Sequence, residues 1–126
     1  MEHEELTKEI IGCAFQVYKT MKFGFLESVY EKCLMIELAN RGLRAQAQWP
    51  ISVFYNGHNV GDFAADVIVE DSVIVELKSV TKLAEAHEVQ LVNYLAATGK
   101  PVGLLLNFGP ERVDVKRKYR DYRPNT

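Results

Sequence analysis

The run Val73-Ile74-Val75-Glu76-Leu77-Lys78 is an apolar, β-branched strand with a carboxylate and an ammonium set into it. Positions two apart on a strand share a face, so Glu76 and Lys78 both project where the neighbours are Val and Ile. An ionised group buried without a partner costs several kcal/mol, so such charges are paired or hold a metal. Asp66 lies ten residues before Glu76, in a second β-patterned stretch. The segment therefore favours folds in which a strand hairpin brings all three charges to one spot. A divalent cation with a lysine beside it is the simplest reason for that arrangement, and metal-assisted phosphodiester hydrolysis uses those parts.

Convergence depends on the connection between the two strands. In an antiparallel hairpin, directly opposed residues share a face. A three-residue loop over Glu70 to Ser72 sets Asp66 opposite Glu76, Ile68 opposite Ile74 and Ala64 opposite Lys78. A two-residue loop at Asp71-Ser72 sets Asp66 against Leu77 instead and divides the cluster between faces. The metal reading thus requires an odd-length connection or a bulge. Asp62, two pleats from Asp66 on the same face, is the best substitute if Asp66 is not the ligand. The bland alternative is an ion pair of Glu76 with Lys78 on a wet sheet face.

The rest of the chain supplies layers for this hairpin. Leu6, Ile10, Ile11, Ala14, Phe15, Val17 and Tyr18 mark a helix over about Glu4 to Thr20, broken by Lys22-Phe23-Gly24. A second helix runs from about Leu26 to Asn40, with Tyr30, Leu34, Leu38, Val29, Cys33 and Ile36 inward and Gly42 as its stop. Ala45 to Tyr55 reads as a strand whose Pro50 marks an edge or bulge. Asn56-Gly57 signals a hairpin into a strand over Val60 to Val69, followed by one over Val73 to Val80. A helix over about Ala84 to Thr98 stops at Gly99-Lys100-Pro101, and strands Val102 to Phe108 and Val113 to Lys118 close the chain. The expected fold class is α/β (α+β), one mixed sheet of about five strands flanked by helices. With 126 residues and neither repeat nor linker, residues 1–126 are expected to form a single domain.

Composition narrows function more by exclusion. No apolar run reaches the roughly 20 residues that span a bilayer, so no membrane partner is expected. No basic segment followed by an apolar one opens the chain, so a cytoplasmic rather than secreted product is expected. Cys13 and Cys33 have no metal-ligand spacing and read as free thiols. There is no Walker-type glycine loop, Ser/His/Asp order or Cys/His zinc spacing, and His3 and His58 read as surface residues. A net charge of −2 argues against a dedicated nucleic-acid binder. The C-terminal end is nonetheless basic, and Lys116, Arg117, Lys118 and Arg120, with Arg112 and Arg123, are candidates for phosphate contacts. A solvated edge strand explains the same charges equally well.

Two further groups add to the acid–lysine cluster. Gly24, Glu27 and Tyr30 open the second helix, with Glu27 and Tyr30 one turn apart on the face that holds Leu34. Gln90 and Tyr94 are i, i+4 neighbours on the third helix, and His87 lies one turn earlier. Gly24-x-x-Glu27-x-x-Tyr30, the strand Val75-Glu76-Leu77-Lys78 and His87-Glu88-x-Gln90-Leu91-x-x-Tyr94 together resemble the GxxExxY proteins, a family of the PD-(D/E)xK nuclease superfamily. The resemblance covers about residues 5–119 and departs at one point, since Ala65 stands where the motif has proline.

The resemblance implies a restriction-endonuclease-like core in the order α-β-β-β-α-β and a nuclease dependent on Mg²⁺ or Mn²⁺ that hydrolyses DNA. Asp66, Glu76 and the Leu77 carbonyl would be metal ligands, and Glu27 would join them directly or through water. Lys78 would stabilise developing charge, Gln90 would orient a water or phosphate, and Tyr30, His87 and Tyr94 would support the site. Tyr30 and Tyr94 also fit as plain core aromatics, and His87 as a surface residue. A homodimer would give a domain this small enough surface for duplex DNA. The alternative is a nuclease-fold protein without turnover, acting as a nucleic-acid- or protein-binding module. Asp66→Ala or Lys78→Ala is expected to abolish cleavage with the fold intact.

Overall fold

Apolar side chains at i, i+3, i+4 and i+7 give the first helix one buried stripe: Ile10, Cys13, Ala14 and Val17. That helix, α1, spans Glu2–Met21 in a computed structural model that describes residues 2–120. Arg123, part of the basic tail, lies outside the described residues. The second helix, α2, spans Glu27–Asn40 and buries Tyr30, Leu34 and Leu38 at i, i+4 and i+8. Ile36 was expected on the same stripe, but 61 % of it is exposed. At about 100° per residue it lies on the far side of the helix from Leu34 and Leu38. Gly42 ends α2 with φ 75, donating to the Ala39 carbonyl, while Leu43 N–H donates to that of Leu38. The paired bonds are a Schellman stop, which needs the left-handed residue that glycine supplies.

Five strands follow: β1 (Ala45–Tyr55), β2 (His58–Val69), β3 (Val73–Lys78), and, after helix α3 (Glu85–Thr98), β4 (Val102–Phe108) and β5 (Val113–Tyr119). They lie side by side in that order. All neighbours are antiparallel except β3 and β4, which α3 joins as a parallel crossover. The result is the expected mixed sheet flanked by helices. Helices α1 and α2 cover one face and α3 the other, so β3 and β4 are buried on both sides. Gly103 lets α3 sit close on β4, for a Cβ there would fall 2.6 Å from Leu91 Cδ1.

The β2–β3 register is the one the three-residue loop requires: Val67 opposes Val75, Ile68 opposes Ile74 and Val69 opposes Val73. Glu70 and Asp71 turn the chain at φ 50 and 54, and Ser72 N–H closes the turn onto the Val69 carbonyl at 3.0 Å. Glu70 is itself anchored, accepting the Arg44 backbone N–H at 2.6 Å.

One irregularity decides where the hairpin's side chains point. Val67 and Val69 pack under α1 and α2, whereas Ala65 packs under α3. Likewise Ala45 packs with the first group, and Trp49 and Ile51 with the second. Alternation is therefore inverted between Ala47–Val67 and Trp49–Ala65, around Gln48 and Asp66, with Gln48 at φ 54. Beyond the inversion Phe63 meets Tyr94 of α3 at 6.0 Å between ring centroids. Its neighbour Asp62 must point away, and it instead accepts hydrogen bonds from Ser52 and Asn59 in solvent. Asp62 is thus no substitute for Asp66, because the alternation that placed it on the same face does not hold across the inversion.

Candidate active site at the strand fork

The β2–β3 backbone pairing ends at Val67–Val75, and the next two rungs are made by side chains. Asp66 N–H donates to Glu76 Oε2 at 2.7 Å, and Leu77 N–H donates to Asp66 Oδ2 at 2.7 Å. Each carboxylate thus takes the place of a backbone carbonyl in the ladder, and the strands part around them. The second oxygen of each acid has no hydrogen bond to a described residue and is not sealed from solvent.

Glu76 is only 5 % exposed. Its burial, and then the charge of Asp66, push its carboxyl up from an ordinary 4.5 to about 8. Asp66 is raised as well, first by burial and then by Glu31 and Glu27, against the stabilising Leu77 amide. Lys78, half-buried at the end of β3, acts against both shifts through its charge. Two acids that resist ionisation, each with one oxygen outside the hydrogen-bonded rungs, would gain from a cation between them. Oxygen donors of this kind suit a hard divalent ion. Among the described residues, no group of three or more His, Cys, Asp or Glu converges as a metal cluster. The donor set that fits is therefore the Asp66–Glu76 pair with backbone oxygen and water.

Glu27 is the first residue of α2 and is exposed rather than set on the core stripe. Its charge still reaches both acids. The local fold explains why Gly24 and Tyr30 flank it. Gly24 turns the chain at φ 122, a region glycine alone adopts freely. Tyr30 stacks on Phe108 at 4.3 Å, donates its hydroxyl proton to the Lys22 carbonyl and accepts the Phe25 N–H at 3.3 Å. Ser79 Oγ donates to the Phe25 carbonyl at 2.8 Å, tying this loop to the segment just after Lys78. Tyr30 is therefore a buried clamp that fixes where α2 begins.

On the other side of the fork, Tyr94 is buried under β2 and β3. Its phenol is pushed up by burial and then by the charges of Glu76 and Asp66. Gln90 is exposed one turn earlier and lines an open groove with Tyr94. His87 is turned to its own helix end, where Nδ1 accepts the Ala84 N–H at 3.1 Å. The structure thus joins Asp66 to Glu76, brings Lys78, Glu27 and Tyr94 within electrostatic reach, and leaves Gln90 at the rim and His87 in a cap.

Two contributors escaped the sequence reading. Glu31 outranks Glu27 in its influence on Asp66 and accepts a hydrogen bond from Gln48 Nε2 at 2.7 Å. Its i+4 spacing from Glu27 was the available signal. Asn107, fully buried opposite Lys78 in β4, takes the Val80 N–H at 2.9 Å and returns a bond to the Val80 carbonyl at 2.9 Å. It holds the exit of β3 in place, and a lone amide in an apolar strand was its signature.

The cations of β5 do not form one stripe. Arg117 donates to Thr7 Oγ1 of α1 at 2.9 Å, while Lys118 pairs with Glu88 of α3 at 2.6 Å on the opposite face. Arg120 donates to the Gly99 carbonyl, and Lys116 lines a shallow groove beside Glu88. Among the described residues, no helix is long and apolar enough to cross a membrane.

Comparison with known proteins places this geometry. A family model for the PD-(D/E)XK nuclease superfamily matches residues 4–118. No curated protein matches the chain. Among solved structures, the protein SSO0001 is similar at 19% identity and a TM-score of 0.60, over 76% of this chain and 50% of that one. An alkaline exonuclease from Laribacter hongkongensis is similar at 13% identity and a TM-score of 0.56, over 84% of this chain and 64% of that one. At these identities the likeness is one of fold, and the chain spans less than two thirds of either neighbour.

Proposed function

Because the chain belongs to the PD-(D/E)XK nuclease superfamily, we propose that it is a divalent-metal-dependent nuclease that hydrolyses phosphodiester bonds of DNA. The observation that carries this reading is the open fork, where Asp66 and Glu76 each spend one oxygen on a backbone amide and keep the other available. Asp66, Glu76 and the Leu77 carbonyl would hold Mg²⁺ or Mn²⁺, with Glu27 joining directly or through water from the start of α2. Bound there, the ion supplies Lewis acidity and a more acidic water. Lys78 faces the charge that develops on the phosphoryl oxygens. Gln90 and Tyr94 position the phosphate from α3, and Asn107 and Ser79 keep the Lys78 segment from drifting. The Gly24, Glu27 and Tyr30 motif supports membership of the GxxExxY branch, the small size of the domain favours a homodimer, and free thiols at Cys13 and Cys33 suit a cytoplasmic setting.

The test is cleavage of single-stranded, duplex and branched DNA in Mn²⁺, alongside calorimetric titration of both metals. Asp66→Asn and Lys78→Ala should each lower cleavage about a hundred- to a thousandfold. Turnover that persists in the Lys78 variant removes its role. The exposed position of Glu27 and the two-acid cluster favour a second reading, a nuclease fold that binds nucleic acid or protein without turnover. Absence of metal binding at millimolar concentration selects that reading.

A further inference from the structure

The groove beside the fork carries almost no charge. It lies between α3 and the β1–β2 hairpin, with a volume of about 920 Å³, and its walls include Val53, Phe63, Gln90, Asn93 and Tyr94. Among the described residues that line it, Glu85 is the only charged one. A surface built to track the phosphates of a duplex carries Lys and Arg, because phosphate contacts are what hold duplex DNA. This one offers a half-exposed phenylalanine ring, 6.0 Å from that of Tyr94, and two exposed side-chain amides. An amide both donates and accepts, which is what the edge of a base requires. A ring left open to solvent beside it offers a stacking platform, which any base can use.

Position ties the groove to the fork. Tyr94 belongs to both, since it lines the groove and its phenol feels the charges of Glu76 and Asp66. Phe63 stands on β2 three residues before Asp66. A phosphate at the fork would therefore leave its neighbouring nucleotide at the mouth of a nearly uncharged, aromatic-walled groove.

We propose that this groove seats an unpaired nucleobase next to the scissile phosphate, so that the substrate class is single-stranded nucleic acid. The inference rests on the nuclease reading for the position of the phosphate. The base stacks on Phe63 and Asn93 meets its edge, while Gln90 stays with the phosphate. A base locked in a duplex cannot enter without being extruded from its stack.

The test reads binding by fluorescence anisotropy, with Ca²⁺ present and the whole chain in solution. The probes are a labelled oligonucleotide, its blunt duplex, and a strand of equal length carrying abasic sites throughout. The single strand should bind about tenfold or more tighter than the other two. Phe63→Ala and Phe63→Leu should each weaken single-strand binding about tenfold with an unchanged melting temperature, and Phe63→Trp should retain it. Equal binding of duplex and single strand, an abasic strand as good as a normal one, or an unaffected Phe63→Ala variant overturns the proposal. Cleavage assays in Mn²⁺ separate this outcome from the nuclease reading. If the preference holds and nothing is cut, the groove stands and the nuclease falls. If single strand and duplex are bound and cut alike, the nuclease stands and the groove falls.

Discussion

The two faces of the sheet are built for different ends. Under α1 and α2 the packing is continuous, from Ile10 and Leu34 to Val75 and Leu77, and is closed by the Tyr30–Phe108 stack. Under α3 the core is smaller, centred on Ile74, Leu91, Leu95 and Leu105, and it gives way to a buried acid, a half-buried lysine and an open groove. Strand alternation makes the division sharp. In β3, Val75 and Leu77 go to the stable side, while Glu76 and Lys78 go to the reactive one. The costs of the site are thus carried by packing on the opposite face of the same strand.

That contrast can be broken most forcefully at Phe108. Phe108→Ala removes a fully buried ring and should cost about 3–5 kcal/mol in urea unfolding. A loss no larger than that of Phe63→Ala on the α3 side would show that the faces are energetically alike. The next effect has the opposite sign. The Glu76 carboxyl rises from 4.5 to about 8 on folding, so the folded chain holds a proton that the unfolded chain releases. The stability it contributes is full below pH 4.5 and is lost as pH rises through about 8. Glu76→Gln keeps the acceptor for the Asp66 N–H and carries no charge. Without metal it should be the more stable protein at pH 8, by an amount on the order of a few kcal/mol, and the gap should close towards pH 5. Thermal melts in EDTA that run parallel across this range would refute the burden assigned to Glu76. The smallest effect is at the clamp between the faces. Tyr30→Phe retains the stack on Phe108 but drops the bond to the Lys22 carbonyl. It should cost about 1 kcal/mol and speed amide exchange at Phe25, whose partner is lost.

Much of this layout was legible from residue order. Periodicity located the helices, and of the two loop lengths the sequence left open, the structure adopts the three-residue one at Glu70 to Ser72 that brings Asp66 to Glu76. What could not be read was geometry that breaks a period. The left-handed backbone at Gln48 inverts the faces of β1 and β2, and no rule of alternation anticipates it in a residue other than glycine. Asp62 therefore landed on the wrong side. Glu27 shares a helical stripe with Tyr30, yet as the first residue of α2 it stands exposed at the helix end. Glu31 was passed over because a second glutamate on α2 looks like ordinary solvent-facing charge until Gln48 is seen to meet it. The β5 cations form a block in sequence but alternate between α1 and α3, as residues of a strand must.

The side-chain rungs at the fork bear on how any loss of activity is to be interpreted. Asp66 and Glu76 are spacers as well as acids, for each accepts an amide proton that would otherwise need the opposite strand. Alanine at either position removes a spacer and frees an N–H, so the hairpin is relieved of what keeps it parted. The resulting protein differs in shape as well as in chemistry. Asn at 66 or Gln at 76 retains the oxygen and the rung while withdrawing the charge. In this hairpin the conservative exchange isolates the reaction, and the drastic one confounds it with the width of the opening.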